Sequence, residues 1–111
     1  MDESKMNYMS AILFEHMKIG MVFYTKPMGL TLGEIDNIVR HMGILISVTE
    51  LALKDLIAHG IISAKFRDDF QLEYKITEFG NYFFQELCSA NEDAAAVCKK
   101  VGAIINEADD T

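Results

Sequence analysis

Two stretches, TLGEIDNIVRHMG (31–43) and SVTELALKDLIAHG (47–60), decide how this chain of 111 residues folds. Each begins with the pattern of a capping box, in which a hydroxyl side chain and a glutamate three residues later bond each other's backbone N–H groups. The two pairs are Thr31 with Glu34 and Ser47 with Glu50. Each stretch ends at a glycine, Gly43 or Gly60, which takes a left-handed helix cap without steric cost. We predict two helices that cross steeply at a tight turn.

The apolar residues in both helices recur at intervals of three and four, so one face of each helix should be buried. The residues expected to point inward are Ile35, Ile38, Val39 and Met42 in 31–43, and Thr49, Leu53, Leu56 and Ile57 in 47–60. Lys26-Pro27-Met28-Gly29 ends a preceding helix predicted at 4–24, because proline cannot continue a helix and glycine allows the turn.

After Gly60 the period of hydrophobicity changes to two, which indicates strands. The alternating apolar positions are Ile62, Ala64 and Phe66, then Phe70, Leu72, Tyr74 and Ile76, with a turn expected at Asp68-Asp69. Three cations, Lys65, Arg67 and Lys75, lie on the polar side of this predicted hairpin. Each can neutralise a DNA phosphate or pair across the strands with Asp69 or Glu73. Both alternatives are open from the sequence.

The segments LALKDLIAHGII (51–62) and YKITEFG (74–80), with the hairpin between them, resemble winged-helix transcriptional regulators of the MarR and PadR-like kind. The matching positions are Leu53, Leu56, Gly60, Ile61, Ile62, Tyr74, Ile76, Thr77 and Gly80. Thr77 is suited to cap the helix that follows it. The likeness covers about half the chain, and it implies a DNA-binding protein that dimerises through its terminal helices.

The expected fold is therefore α+β and mainly α, a winged helix-turn-helix with additional helices at both ends. One domain, 1–111, should contain a helix at 4–24, the helix-turn-helix at 31–60, the wing at 61–77 and C-terminal helices at 78–108. Ser89 and Glu92 suggest a third capping box at the start of the last helix. That helix has an apolar stripe close to a coiled-coil seam, which a partner chain or the chain's own first helix has to cover.

We expect a homodimer, with a compact monomer as the alternative, since symmetric dimers are the commonest assembly. The predicted interface residues are Met9, Leu13, Met17, Val97, Val101, Ile104 and Ile105.

Two functions follow from the helix at 47–60. In the first, a dimer places this helix in successive major grooves of double-stranded DNA and the wing on phosphates. The residues assigned to DNA contact are Ser47, Lys54, Lys65, Arg67 and Lys75. In the second, the chain is a protein interaction module, an adaptor or antagonist that does not bind DNA. Its contact residues are Val48, Leu51 and Asp55, because the helix face pairs apolar with acidic side chains and is a poor reader of bases.

The net charge of −7 speaks against nucleic acid, but the acids are concentrated at the two ends and residues 4–85 sum to only −1. The sequence lacks catalytic, metal-binding and phosphate-loop motifs, so we expect neither an enzyme nor a cofactor. Cys88 and Cys98 do not form a disulfide framework or a zinc motif. We see no signal peptide and no membrane span, and we expect a cytoplasmic protein.

Overall fold

The computed structural model of the chain describes residues 14–109, over which five helices and three short strands follow one another. The fold is α+β and mainly helical. The elements are α1 (Phe14–Thr25), β1 (Leu30–Thr31), α2 (Leu32–His41), α3 (Ile46–Ala58), β2 (Ile62–Phe66), β3 (Leu72–Ile76), α4 (Glu78–Ala90) and α5 (Glu92–Asp109). The strands form one antiparallel sheet in the order β1-β3-β2. Within residues 14–109, every helix is too short or too polar to cross a bilayer.

The inward faces of α2 and α3 follow the predicted spacing with one exception. Ile35, Ile38 and Val39 are buried and Met42 packs against the same core. In α3 the buried positions are Thr49, Ala52, Leu53 and Leu56. The prediction was wrong for Ile57, which is 40% exposed. The buried stripe of α3 includes Ala52 instead, and Ile57 lies beyond the opposite edge of that stripe.

The capping prediction for α2 is confirmed. Glu34 donates its backbone N–H to Thr31 Oγ1 at 3.4 Å, and Thr31 donates its own to Glu34 Oε1 at 3.1 Å. The prediction for α3 was wrong, because the helix begins at Ile46 and its cap position is Leu45, which has no capping side chain. Ile44 packs against the core, and its backbone N–H donates to the carbonyl of Val39 in α2. These contacts position the chain so that α3 begins before Ser47.

The capping box predicted at Ser89 and Glu92 is also corrected. Ser89 lies inside α4, where its hydroxyl donates to the carbonyl of Gln85 at 2.8 Å. Asn91 caps α5 instead, since its Oδ1 accepts the N–H of Ala94 at 3.0 Å. Asparagine caps a helix as well as serine does, and Asn91 is the single residue between α4 and α5.

The helix ends at Gly43 and Gly60 are confirmed, with φ of 73° and 74°. The turn at Asp68-Asp69 is present as well. Arg67 donates its N–H to the carbonyl of Gln71 at 2.8 Å, and Phe70 donates to Arg67 at 3.0 Å. Phe70 has a left-handed φ of 64°, so the three residues 68–70 form a hairpin loop that usually has glycine at this last position.

Thr77 joins the hairpin to α4, as the sequence predicted. Its Oγ1 accepts the N–H of Gly80 at 2.9 Å, and its hydroxyl hydrogen is shared between the carbonyls of Gly60 at 2.5 Å and Ile61 at 3.0 Å. The backbone N–H of Thr77 donates to the carbonyl of Ile61 at 2.9 Å. The first turn of α4 is therefore held directly against the start of β2.

The long helix α5 packs inside the chain against α1, α2 and α4. Val101 and Ile105 are 2% and 5% exposed, while Val97 and Ile104 are half-buried. Lys26 Nζ lies 3.0 Å from Asp109 Oδ1 and links the ends of α1 and α5. The assignment of Val101 and Ile105 to a dimer interface is thereby corrected, because the chain itself covers them.

The remaining residues assigned to the dimer interface divide in two groups. Met17 is half-buried and packs against the core. Met9 and Leu13, with most of the helix predicted at 4–24, lie outside the described residues.

Candidate nucleic-acid and protein interface

The hairpin of β2 and β3 separates polar from apolar side chains. Its register pairs Ile62 with Ile76, Ser63 with Lys75 and Lys65 with Glu73. Directly paired residues of an antiparallel ladder project on the same side of the sheet. The polar side contains Ser63, Lys65, Arg67, Glu73 and Lys75, and the apolar side contains Ile62, Ala64, Phe66, Leu72, Tyr74 and Ile76. The three cations of the hairpin that were assigned to DNA contact therefore share one face.

Among the three cations on this face, Arg67 is the one that has acidic partners within residues 14–109. Its Nη2 is 3.5 Å from Asp69 Oδ2 and its Nε is 4.0 Å from Glu73 Oε2, and its side chain is 40% exposed. Exposed ion pairs contribute about 0–1 kcal/mol, so another ligand can replace these contacts. Lys65 and Lys75 are exposed and form no salt bridge with any residue of 14–109. The cross-strand alternative thus applies to Arg67.

The exposed face of α3 is mixed. Ser47, Glu50 and Lys54 are exposed, and Lys54 is the basic side chain that α3 offers. Leu51 is 60% exposed and Leu45, at the cap position, is 71% exposed. This face offers a base edge one cation and one hydroxyl, whereas it offers a protein two large apolar side chains.

Asp55 has partners inside the chain. His16 Nδ1 lies 2.8 Å from Asp55 Oδ2, and His59 Nδ1 lies 3.2 Å from Oδ1. The carboxylate therefore links α1 to α3. Of the three residues assigned to protein contact, Val48 is half-buried, Asp55 is engaged internally, and Leu51 is the one that protrudes.

The chain has no significant match to a protein family, a curated protein or a solved structure. What this surface binds has to be judged from its own side chains.

Two exposed aromatic residues at the tip of the hairpin were not expected from the sequence. Phe66 is 71% and Phe70 is 86% exposed, although both stand at the alternating apolar positions of the hairpin. The hairpin extends past the core, so Ile62 and Ile76 at its base are buried, Tyr74 is half-buried, and the tip is exposed. With Leu32 and Leu72 these rings line a cavity of about 340 Å³ beside the first turn of α2. The length of the hairpin relative to the core is the signal that would have located them.

Within residues 14–109, the structure brings no three His, Cys, Asp or Glu side chains together as a metal site.

Proposed function

We propose that the chain is a winged-helix DNA-binding transcriptional regulator. It acts as a dimer in which α3 lies in the major groove and the β2–β3 hairpin contacts phosphates. The order of helix, short strand, two crossing helices and hairpin supports this fold, as does the three-stranded sheet with β3 in the middle.

The observation that carries the proposal is the common face of the three cations Lys65, Arg67 and Lys75. Phosphates supply most of the affinity of such proteins for DNA, and each cation that contacts one makes binding weaker as salt rises. Lys65 and Lys75 lack a salt bridge among residues 14–109, and Arg67 has long, exposed contacts that a phosphate can replace. The hairpin can therefore contribute two or three phosphate contacts per chain.

The experiment is a salt titration of binding to a duplex selected from a randomised 30-bp library. Replacement of Lys65 and Arg67 by alanine should lower the slope of log K against log salt by about 0.9 for each lost contact, hence by about 2 per chain. The matched control is Lys99→Ala with Lys100→Ala, the same change of charge on the exposed face of α5. The proposal fails if no duplex is enriched, or if both double variants have the same slope.

A second candidate function is protein binding through α3, and the exposure of Leu45 and Leu51 favours it. Large apolar side chains that are exposed on a helix favour protein contact over DNA contact. Glu50 and the mixed charge of the helix also weaken its attraction for phosphate.

For this candidate, Leu51→Glu is compared with Met28→Glu, since the two side chains are 60% and 59% exposed. Both variants should fold as the wild type does. A partner isolated with the wild type should be retained by Met28→Glu and lost by Leu51→Glu. Equal retention by the two variants would exclude α3 as the docking face.

A further inference from the structure

The strand β2 has an open edge. It is the outer strand of the sheet, with β3 on one side. Hydrogen bonds at both ends of the hairpin, from Thr77 to Ile61 and from Arg67 to Gln71, show which residues bond inward. Between these two ends, the alternation of the register means that Ser63 and Lys65 use their backbone N–H and C=O groups to bond β3. The N–H and C=O groups of Ala64 and Phe66 therefore point away from β3, and neither has a partner within residues 14–109.

The side chains next to this edge have a definite charge. Lys65 belongs to the edge strand and Arg67 directly follows it, where an exposed contact of 3.5 Å joins it to Asp69 of the turn. Glu73, the acid paired with Lys65 in register, belongs to β3. Neighbouring strands lie about 4.8 Å apart, so a strand added to β2 meets Lys65 first and Glu73 only one strand further away. On the opposite face it meets Phe66, which is 71% exposed. The edge thus favours acidic side chains on one face of the added strand and apolar side chains on the other.

We propose that β2 is a docking edge for an extended segment of a partner protein in which acidic and apolar residues alternate. The segment adds a fourth strand to the sheet through Ala64 and Phe66, places its acids beside Lys65 and Arg67, and covers Phe66 with an apolar side chain. A second copy of this chain fits less well, because its β2 would bring further cations and no acid to the edge. Lysine in an edge strand opposes such self-pairing.

This inference goes beyond the proposed function and does not require DNA binding, although it uses two of the same cations. It is tested without DNA, so that the two proposals can fail separately. The probes are two labelled peptides, one of four Val-Glu repeats and one of four Val-Lys repeats, titrated into the full chain. Hydrogen exchange of the amides of Ala64 and Phe66 is followed by NMR.

The Val-Glu peptide should bind at least about tenfold more tightly than the Val-Lys peptide and should slow exchange at Ala64 and Phe66. Replacement of Lys65 and Arg67 by glutamate should reverse the preference, whereas the same change at Lys99 and Lys100 should leave it unaltered. Ala64→Pro removes an outward N–H that the hairpin does not use, so it should weaken the peptide about tenfold while the chain remains folded.

Three results would overturn the proposal. The first is equal binding of both peptides, or no binding at about 1 mM, a concentration that detects even weak complexes. The second is binding of the Val-Glu peptide without slower exchange at Ala64 and Phe66. The third is slower exchange at these amides with rising protein concentration and no peptide, which would assign the edge to a second copy. If Ala64→Pro is unfolded, the charge reversal and the exchange of the wild type still decide the question.

Discussion

Gly80 lies where α4 touches the start of β2, and its replacement by alanine is the sharpest test of the fold. A Cβ atom at Gly80 would stand 2.9 Å from Ile76 Cγ1 and in direct overlap with the backbone carbonyl oxygen of Ile61. Ordinary contacts begin at 3.4 Å, so the first turn of α4 has to move away from this carbonyl by more than 1 Å. The obstacle is backbone, and no side-chain rotation relieves it.

The expected cost follows from what this movement breaks. The carbonyl of Ile61 accepts the backbone N–H of Thr77 at 2.9 Å, and the hydroxyl of Thr77 donates at the same junction, to the carbonyls of Gly60 at 2.5 Å and Ile61 at 3.0 Å. Each bond contributes about 1 kcal/mol. Overpacking adds about 1–3 kcal/mol, and the better helix propensity of alanine returns at most about 1 kcal/mol. We expect Gly80→Ala to lower the free energy of unfolding by about 2–4 kcal/mol and Tm by about 10–20 °C.

Gly102→Ala is the matched control. Gly102 also lies within a helix, but a Cβ atom there has no neighbour within 4 Å. Only helix propensity changes, so this variant should gain about 0.5–1 kcal/mol. Urea unfolding followed by circular dichroism measures both variants. If Gly80→Ala is as stable as the wild type, α4 does not pack on Ile61 as described, and the reasoning about this junction is refuted.

The other predictions use the same unfolding assay. Asn91→Ala should cost about 1 kcal/mol and Ser47→Ala close to nothing, because Asn91 caps a helix and Ser47 does not; equal effects would contradict these cap positions. Phe70→Gly should gain about 0.5–1 kcal/mol, since glycine relieves the left-handed φ and the exposed ring loses no packing; a loss would show that Phe70 is not strained. Burial, with Cys98 adding to it, raises the pKa of the Cys88 thiol from its ordinary 9.0 to about 11. The unfolded chain therefore loses this proton first. Stability should be unaffected below about pH 9 and fall between pH 9 and about 11, and Cys88→Ala should reduce that fall.

The sequence predicted the order of the helices and the hairpin, although not the short strand β1, because its local signals agree with the packing. Helical spacing placed Ile35, Ile38 and Val39 in the core, and glycine marked both helix ends with left-handed φ. The cap at Thr77 and the turn at Asp68-Asp69 were also correct. In each case one local requirement, either a period or a backbone conformation, decides the outcome.

The predictions failed where contacts between residues distant in the sequence determine the structure. Ser47 and Ser89 both match a capping box, but packing of Ile44 started α3 earlier, and Asn91 was the better-placed cap for α5. The stripe of α5 was correct as a pattern, yet its spacing is the same whether α1 or a second chain covers Val101. The engagement of Asp55 by His16 joins residues 39 positions apart, and no local pattern announces it.

Lys75 separates the two proposed uses of the hairpin, because the direction from which a partner approaches decides which charges it meets. A duplex lying on the polar face reaches the cations of both strands, including Lys75 on β3. A segment beside β2 reaches Lys65 and Arg67, with β2 itself between it and Lys75. Lys75→Ala should therefore lower the salt slope of DNA binding by about 1 and leave the affinity for the Val-Glu peptide within about twofold of wild type. An equal loss for both ligands would mean that the peptide lies across the face of the sheet, and the edge would then have no role in docking.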